Sequence, residues 1–272
     1  MNILGFIDDP PRDGSINMAL DDLLARANFW PDISSLMRLY RWQKPTFSCG
    51  YNQNIEGRVN VGNCPKYGVD LVRRPTGGRE LLHDNDLSFS LITYGQVEGD
   101  SSIQTAREFF FKAGEVLVDG LRRIGVETTI GSGTPRHGRG DTSPCLTSTA
   151  RYEISSRGRK LIPMAQRLYA DSILIHGSIQ LIKSRIPTAS LMKTGDMEKM
   201  QALIDKSSVN IRSLIGREIE SEKLVESLRQ SYQAVFRGEI RDLAIGSAIL
   251  KAARERENNW QIKLTGKLKD EM

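Results

Sequence analysis

Apolar and polar positions alternate with different periods along this chain, and each change of period marks an element. Ile3 to Ile7 predicts a short opening strand. From Ile16 to Phe29 the spacing becomes helical: Ile16, Leu20, Leu23, Leu24 and Ala27 share one face, Asp21, Asp22 and Arg26 fall elsewhere, and Ser15 stands where a cap is expected. Leu36 to Trp42 and Phe47 to Tyr51 read as strands around a Pro45-Thr46 turn, which predicts a hairpin, and Gly50 points to close backbone approach. Val72 leads into Arg73-Arg74-Pro75-Thr76-Gly77-Gly78-Arg79, and the alternating run Leu87 to Ile92 follows His83-Asp84, so a second hairpin with chemistry at its turn is expected. Thr105 to Ile124 carries Ala106, Phe110, Ala113, Leu117 and Ile124 on one stripe and predicts a long core helix.

Periodicity disappears from Gly131 to Ser148, a stretch dense in turn formers, and loops of that length inside a compact domain are usually functional or disordered. Tyr152 to Ser155 and Lys160 to Ile162 flank Ser156-Arg157-Gly158-Arg159, a hairpin signal. Ser172 to Leu181 reads as a buried strand interrupted by His176-Gly177-Ser178. Helices are expected near Met197 to Lys206, Ser221 to Val235 and Asp242 to Glu257, then a closing strand from Trp260 to Leu264. This order does not fit a simple alternating dinucleotide fold; it predicts an α+β arrangement with a mixed sheet packed by helices. The expected organisation is one catalytic domain over residues 1–250 and a basic tail over 251–272 carrying the closing strand.

Composition narrows the class. With 272 residues and 39% hydrophobic content the chain can bury a sizeable core. Its longest apolar stretches, Leu87 to Tyr94 and Ser172 to Ile182, fall short of the roughly 20 residues that span a bilayer, so no membrane partner is expected. Met1 to Asp9 lacks the basic head and apolar run of a signal peptide, and three widely spaced cysteines argue against a disulfide framework, so a reducing cytoplasm is expected. The net charge of +5 is spread among acidic residues without an RNA-stacking motif. It suits an acidic protein partner as well as it suits nucleic acid, which would bind with a steep salt dependence.

Adjacent Gly77 and Gly78 let the backbone pass close to a ligand, while Arg73 and Arg74 supply planar cationic donors; the plainer alternative is a tight turn with solvated arginines. Cys145 follows Arg136, His137 and Arg139 in a Gly- and Ser-rich stretch, a setting that favours an accessible thiolate, unless it is a chance cysteine in a loop. Lys160 could place an ammonium beside an oxygen developing negative charge, or be an ordinary surface lysine. Cys49 and Cys64 read as structural, and His83 and His176 sit at strand edges. Asp84 and Asp86 resemble half of a metal site without matching ligands, so no metal is assigned.

These residues combine into a resemblance. Asn17-Met18-Ala19-Leu20-Asp21, Tyr40-Arg41-Trp42, Gly50-Tyr51-Asn52-Gln53, Arg73 to Arg79, His83-Asp84, Gly158-Arg159-Lys160, Ala165-Gln166 and His176-Gly177-Ser178-Ile179 occur in the order and spacing of the lipoate–protein ligase and octanoyltransferase family. The chain resembles that family from about residue 1 to 185, and more loosely through the helical tail. The resemblance implies a biotin/lipoate ligase-like fold, related to class II aminoacyl-tRNA synthetases, with an acyl tunnel beside the Arg-Arg-Pro-Thr-Gly-Gly turn. It implies substrate binding by Tyr40, Arg73, Arg74, Thr76, Gly77, Gly78, His83, Ala165, His176 and Gly177, and catalysis by Lys160.

Two chemistries compete within the family. The setting Ser143-Pro144-Cys145-Leu146 resembles the nucleophile position of cysteine-loop octanoyltransferases. Those take an octanoyl (or lipoyl) group from acyl carrier protein through a cysteine thioester to a lysine of a lipoyl domain, of the glycine cleavage H or dehydrogenase E2 kind, without ATP or metal. The alternative is a lipoate–protein ligase that uses ATP and magnesium to form lipoyl-AMP, with Arg74, Lys160 and the glycine turn on the phosphate. One departure stands out: Pro163-Met164-Ala165-Gln166 replaces the family's usual Gly-Ser-Ala-Gln, which removes a backbone donor and fills space. A specialised ligase, a lipoyl transferase, an inactive paralogue and a non-catalytic binder of lipoyl domains all stay open on the sequence.

Overall fold

The computed structural model describes residues 2–95, 102–131 and 153–263. In chain order, β1 (Ile3–Asp8), α1 (Gly14–Arg26) and β2 (Ile33–Tyr40) open the fold, and β2 lies parallel to β1. β3 (Thr46–Cys49), β4 (Asp70–Arg73) and β5 (Leu81–His83) form a separate sheet in the order β4-β3-β5. β6 (Asp86–Tyr94) returns to the first sheet and is followed by α2 (Ser102–Arg123). A third sheet holds β7 (Thr129–Ile130), β8 (Ile154–Ser156) and β9 (Arg159–Ile162). β10 (Met164–Leu168) and β11 (Ser172–Gln180) complete the antiparallel side of the main sheet. Then come α3 (Met197–Ser207), α4 (Ile211–Ile215), α5 (Ser221–Phe236), β12 (Glu239–Asp242) at the edge beside β1, and α6 (Ser247–Arg256). The main sheet therefore reads β10-β11-β6-β2-β1-β12.

Helices cover both faces of this sheet. On one, Phe109, Ala113 and Leu117 of α2 and Leu224, Leu228 and Tyr232 of α5 pack on Leu39, Phe89 and Ile175. On the other, Leu20 and Leu24 of α1 and Ile249 and Ala253 of α6 meet Leu36, Ile92 and Leu174. This is the expected α+β architecture, and a mixed sheet needs both faces buried because its parallel edge depends on crossover helices.

Several local expectations are corrected. The Leu36–Tyr51 hairpin does not form: β2 has both edges taken, by β1 and β6, so the chain after Pro45 leaves for the other sheet. Nor is Arg73 to Asp84 the turn of a hairpin. Val72 lies on β4 beside β3, whereas Leu87 to Ile92 lie on β6 between β2 and β11, and β4 and β5 flank β3 on opposite sides, so the Arg-Arg-Pro-Thr-Gly-Gly segment crosses over β3. Ser15 is not a cap; α1 starts one residue earlier behind Asp13, and the Ser15 hydroxyl donates to Glu257 Oε1 at 2.7 Å. Asp21 and Asp22, placed off the core face by the pattern, are both buried. The helix expected from Asp242 begins at Ser247, after β12, which the pattern did not announce.

The His-Gly-Ser triplet does not interrupt β11, which pairs with β6 without a break from Ser172 to Gln180. Of the closing strand, a single antiparallel bridge joins Gln261 to Val72, supported by Arg73 N–H on the Trp260 carbonyl; residues from 264 lie outside those described. The sequence-based boundary at residue 250 falls inside α6, and Trp260 beyond it is buried with α1. The β8–β9 hairpin forms as expected, with Arg157 (φ 51°) and Gly158 (φ 73°) supplying the two left-handed residues of a type I′ turn. Among the described residues no helix is long and apolar enough to cross a membrane.

Candidate active site

Where the main sheet meets the β4-β3-β5 sheet, a pocket with about 420 Å³ of empty space, part of it open to solvent, lies beside the crossover segment. Seven of the ten residues assigned to substrate line it: Tyr40, Arg74, Gly78, His83, Ala165, His176 and Gly177. Met18, Trp42, Ser48, Leu81, Pro163 and Met164 complete the wall. The departure from the family's Gly-Ser therefore faces the cavity directly.

The crossover segment is held by its own arginines. Arg74 is buried, and its guanidinium donates to the carbonyls of Ser48 (3.1 Å), Gly77 (3.0 and 3.1 Å) and Arg79 (2.6 Å) and to Ser48 Oγ (3.2 Å). Arg73 turns away from the pocket, and its Nη1 gathers the carbonyls of Gly50, Tyr51 and Gln53. Gly50 is needed here because a Cβ would lie 2.0 Å from the Gly78 carbonyl oxygen. Gly77 contributes its carbonyl to Arg74 rather than a wall to the pocket, and Thr76 lies behind His176.

Each pocket histidine sits in a hydroxyl–imidazole–carboxylate chain. His83 Nδ1 is 2.9 Å from Asp86 Oδ2, its Nε2 is 2.8 Å from Ser48 Oγ, and its ring stacks on Trp42 at 4.0 Å. Asp86 Oδ2 also accepts from Ser88 (3.0 Å) and Ser178. His176 Nδ1 is 3.2 Å from Asp21 Oδ2 and its Nε2 is 2.5 Å from Thr76 Oγ1, which ties the crossover segment to β11 and α1. Asp21 further accepts from Tyr40 OH (3.0 Å) and from Arg38 (2.9 Å). The polar residues inside β11 thus have their reason: His176 answers Asp21, and Ser178 answers Asp86.

Burial raises the Asp21 carboxyl, but the His176 hydrogen bond and the charges of Arg38 and His176 outweigh it and leave it below the usual carboxylate range. His176 is lowered, chiefly by burial, which the Asp21 bond and charge only partly oppose. Neutral imidazole beside ionised carboxylate is the state these shifts favour. The sign follows: between the ordinary histidine pKa of about 6.5 and the lower folded value, the unfolded chain binds a proton that the folded one does not, so stability falls on acidification. Urea midpoints measured from pH 7.5 down to pH 5 should decline, and His176→Gln should flatten that slope; loss at Asp21 belongs to a separate window below about pH 4.

Lys160 is buried on β9, with Nζ 2.5 Å from Glu153 Oε1. It does not line the pocket but precedes Pro163, which does, by one short stretch of chain. Burial pushes the thiol of Cys49 up to about 12 and that of Cys64 up to about 11, so neither is a thiolate at neutral pH. Cys145 lies outside the described residues. Asp84 accepts from Ser184 while Asp86 faces His83, and among the described residues no three His, Cys, Asp or Glu side chains group as metal ligands do.

Sequence reasoning missed Ser48, Trp42 and Leu81 in the wall, Asp86 and Asp21 as histidine partners, and Glu153 as the partner of Lys160. A signal existed for one of them: Arg38 inside the apolar run Leu36-Met37-Arg38-Leu39 demands a buried counter-charge, which Asp21 supplies while Asn17, one helical turn away, accepts from the same guanidinium.

Comparison with known proteins agrees with this geometry. A family model described as "Lipoyl protein ligase A/B catalytic domain" matches residues 13–233. The octanoyltransferase LipM of Carboxydothermus hydrogenoformans is 29% identical over 235 residues, 85% of this chain and 86% of the relative. That of Kyrpidia tusciae is 30% identical over 225 residues, 80% of this chain and 81% of the relative. A solved bi-partite lipoate protein ligase of Thermoplasma acidophilum, studied with its E2 lipoyl domain, superposes with a TM-score of 0.76 over 95% of this chain and 93% of its own, at 19% identity. The fold, the wall of the pocket and the span of the family match together make this chain a member of the lipoyl protein ligase A/B catalytic domain family.

Proposed function

We propose that this chain is an acyltransferase of lipoate assembly, moving an octanoyl group from acyl carrier protein to Cys145 and then to a lysine of a lipoyl domain. The observation that carries the reading is the extended similarity to relatives named octanoyltransferase, with four-fifths or more of each protein aligned. The titration of the other cysteines supports the choice of thiol, because burial holds Cys49 and Cys64 protonated. In the first step the Cys145 sulfur attacks the thioester carbonyl, the bond to the carrier sulfur breaks, and that thiolate leaves with a proton. In the second, the acceptor amine attacks the acyl-Cys145 carbonyl, the amide forms, and the cysteine thiol is regenerated. Lys160, kept beside Glu153 as an ion pair, suits stabilising the oxyanion of both steps rather than acting as their base.

Neither step needs ATP or magnesium. A ligase would also direct Arg74 at an adenylate phosphate, whereas the Arg74 guanidinium donates to the carbonyls of Ser48, Gly77 and Arg79. The acceptor assignment rests on the solved neighbour studied with a lipoyl domain, and the carrier on the chemistry of a thioester donor. A reducing cytoplasm would keep Cys145 as a thiol. Intact-protein mass after incubation with octanoyl-acyl carrier protein, without ATP, tests the reading. A hydroxylamine-labile octanoyl adduct is expected on the native chain and none on Cys145→Ser. Modification of a lipoyl domain by Cys145→Ser with lipoate, ATP and magnesium would instead make the chain a ligase.

A further inference from the structure

Exposure divides the pocket wall into two ends. Gly78 is exposed and Met164, Ala165 and Gly177 are half-buried, so they form the mouth; Met18, Tyr40, Ser48 and His83 are buried and form the floor. Most of the wall is apolar, yet at the floor Ser48 and His83 bring a polar pair into it, and every group of that pair is already engaged. Ser48 Oγ meets His83 Nε2 at 2.8 Å and Arg74 Nη1 at 3.2 Å, and His83 Nδ1 meets Asp86 at 2.9 Å. The ring is further clamped by Trp42 at 4.0 Å, whose Nε1 donates to Ser88 (2.9 Å), itself a donor to Asp86.

We infer that the Ser48–His83–Asp86 chain is the end wall that sets the acyl chain length, an inference that rests on the acyltransferase reading for its ligand class. A methylene entering an apolar pocket gains about fourfold in affinity, the equivalent of about 0.8 kcal/mol. That gain does not cover parting a buried imidazole from both of its partners, even though Asp86 keeps Ser88 and Ser178 and Ser48 keeps Arg74. The chain therefore grows tighter-binding with each carbon until its far end reaches the imidazole, and no further.

The test is calorimetric titration of the full chain with hexanoate, octanoate, decanoate and dodecanoate. Free acids need neither Cys145 nor a carrier, so failure of the transfer reaction and failure of the length stop are separately visible. The wild-type protein should gain about fourfold per methylene up to octanoate and then level off or weaken. His83→Asn keeps an amide donor for Asp86 and removes the outer half of the ring. In that variant the rise should continue to decanoate, lifting the decanoate-to-octanoate affinity ratio about fourfold or more. An unbroken rise through dodecanoate in the wild type overturns the inference without recourse to any variant, as does a folded His83→Asn that still stops at octanoate.

Discussion

Arg38→Met should destabilise the protein by about 3–5 kcal/mol, the cost of breaking a buried ion-pair network by removing one member. Arg38 is fully buried, and every face of its guanidinium is used. Nε and Nη2 donate to Asp9 Oδ2 at 3.0 and 2.8 Å, Nη1 to Asp21 Oδ1 at 2.9 Å, Nη2 to Asn17 Oδ1 at 2.6 Å, and the group lies 4.2 Å over the Tyr40 ring. Asp9 retains Arg12 as a second partner at 2.7 Å, but Asp21 would be left facing a neutral His176. Because Asp21 also orients His176, and through it Thr76, the pocket should loosen along with the fold. Chemical unfolding at pH 7 measures the loss, and at this size each kcal/mol lowers Tm by about 2–4 °C. Adding Asp21→Asn and Asp9→Asn should recover much of the deficit, since an uncompensated charge is what costs most. A deficit under about 1 kcal/mol would mean that water enters the site and takes the place of the guanidinium.

Lys160→Met should lower the rate of acyl transfer by about 100- to 1000-fold, the usual loss when one positioned donor to an oxyanion is removed. Its ion pair with Glu153 complicates the experiment, because the variant strands a largely buried carboxylate. The double variant Lys160→Met with Glu153→Gln removes that second effect, so rates should be compared per folded molecule in both backgrounds. Single-turnover transfer from carrier to enzyme and from enzyme to acceptor separates the two steps, and both should slow. If the double variant folds and transfers at the native rate, Lys160 is a structural cation and the oxyanion is met elsewhere.

The same two residues show how differently a site can be written in a sequence. Lys160 was singled out by the match Gly158-Arg159-Lys160, and its turn was legible from composition alone, because Arg157-Gly158 must adopt positive φ and little else closes a two-residue hairpin. Arg38 was passed over as part of a strand, although a charge between Met37 and Leu39 cannot be buried without partners. Pocket residues near the crossover segment were recognisable because glycine and arginine there serve backbone geometry as much as chemistry. Their partners were not, since Asp21 reaches His176 and Asp86 reaches Ser178 only after strands far apart in sequence have paired.

Taken alone, the amino-acid order determined what depends on neighbouring residues: the helical stripes of α1, α2 and α5, the β8–β9 turn, the mixed class of the fold, and the family to which the motifs point. Tertiary structure decided which strand lies beside which. It overruled two hairpins because the edges of β2 were already taken by β1 and β6, and those of β6 by β2 and β11. It also decided where each buried charge finds its counter-charge, as Arg38 does in Asp9 and Asp21 and Lys160 does in Glu153. The physical reason is one of range. Backbone preference and periodicity act over a few residues, whereas edge pairing and charge neutralisation are settled by whichever groups the folded core brings within hydrogen-bond distance.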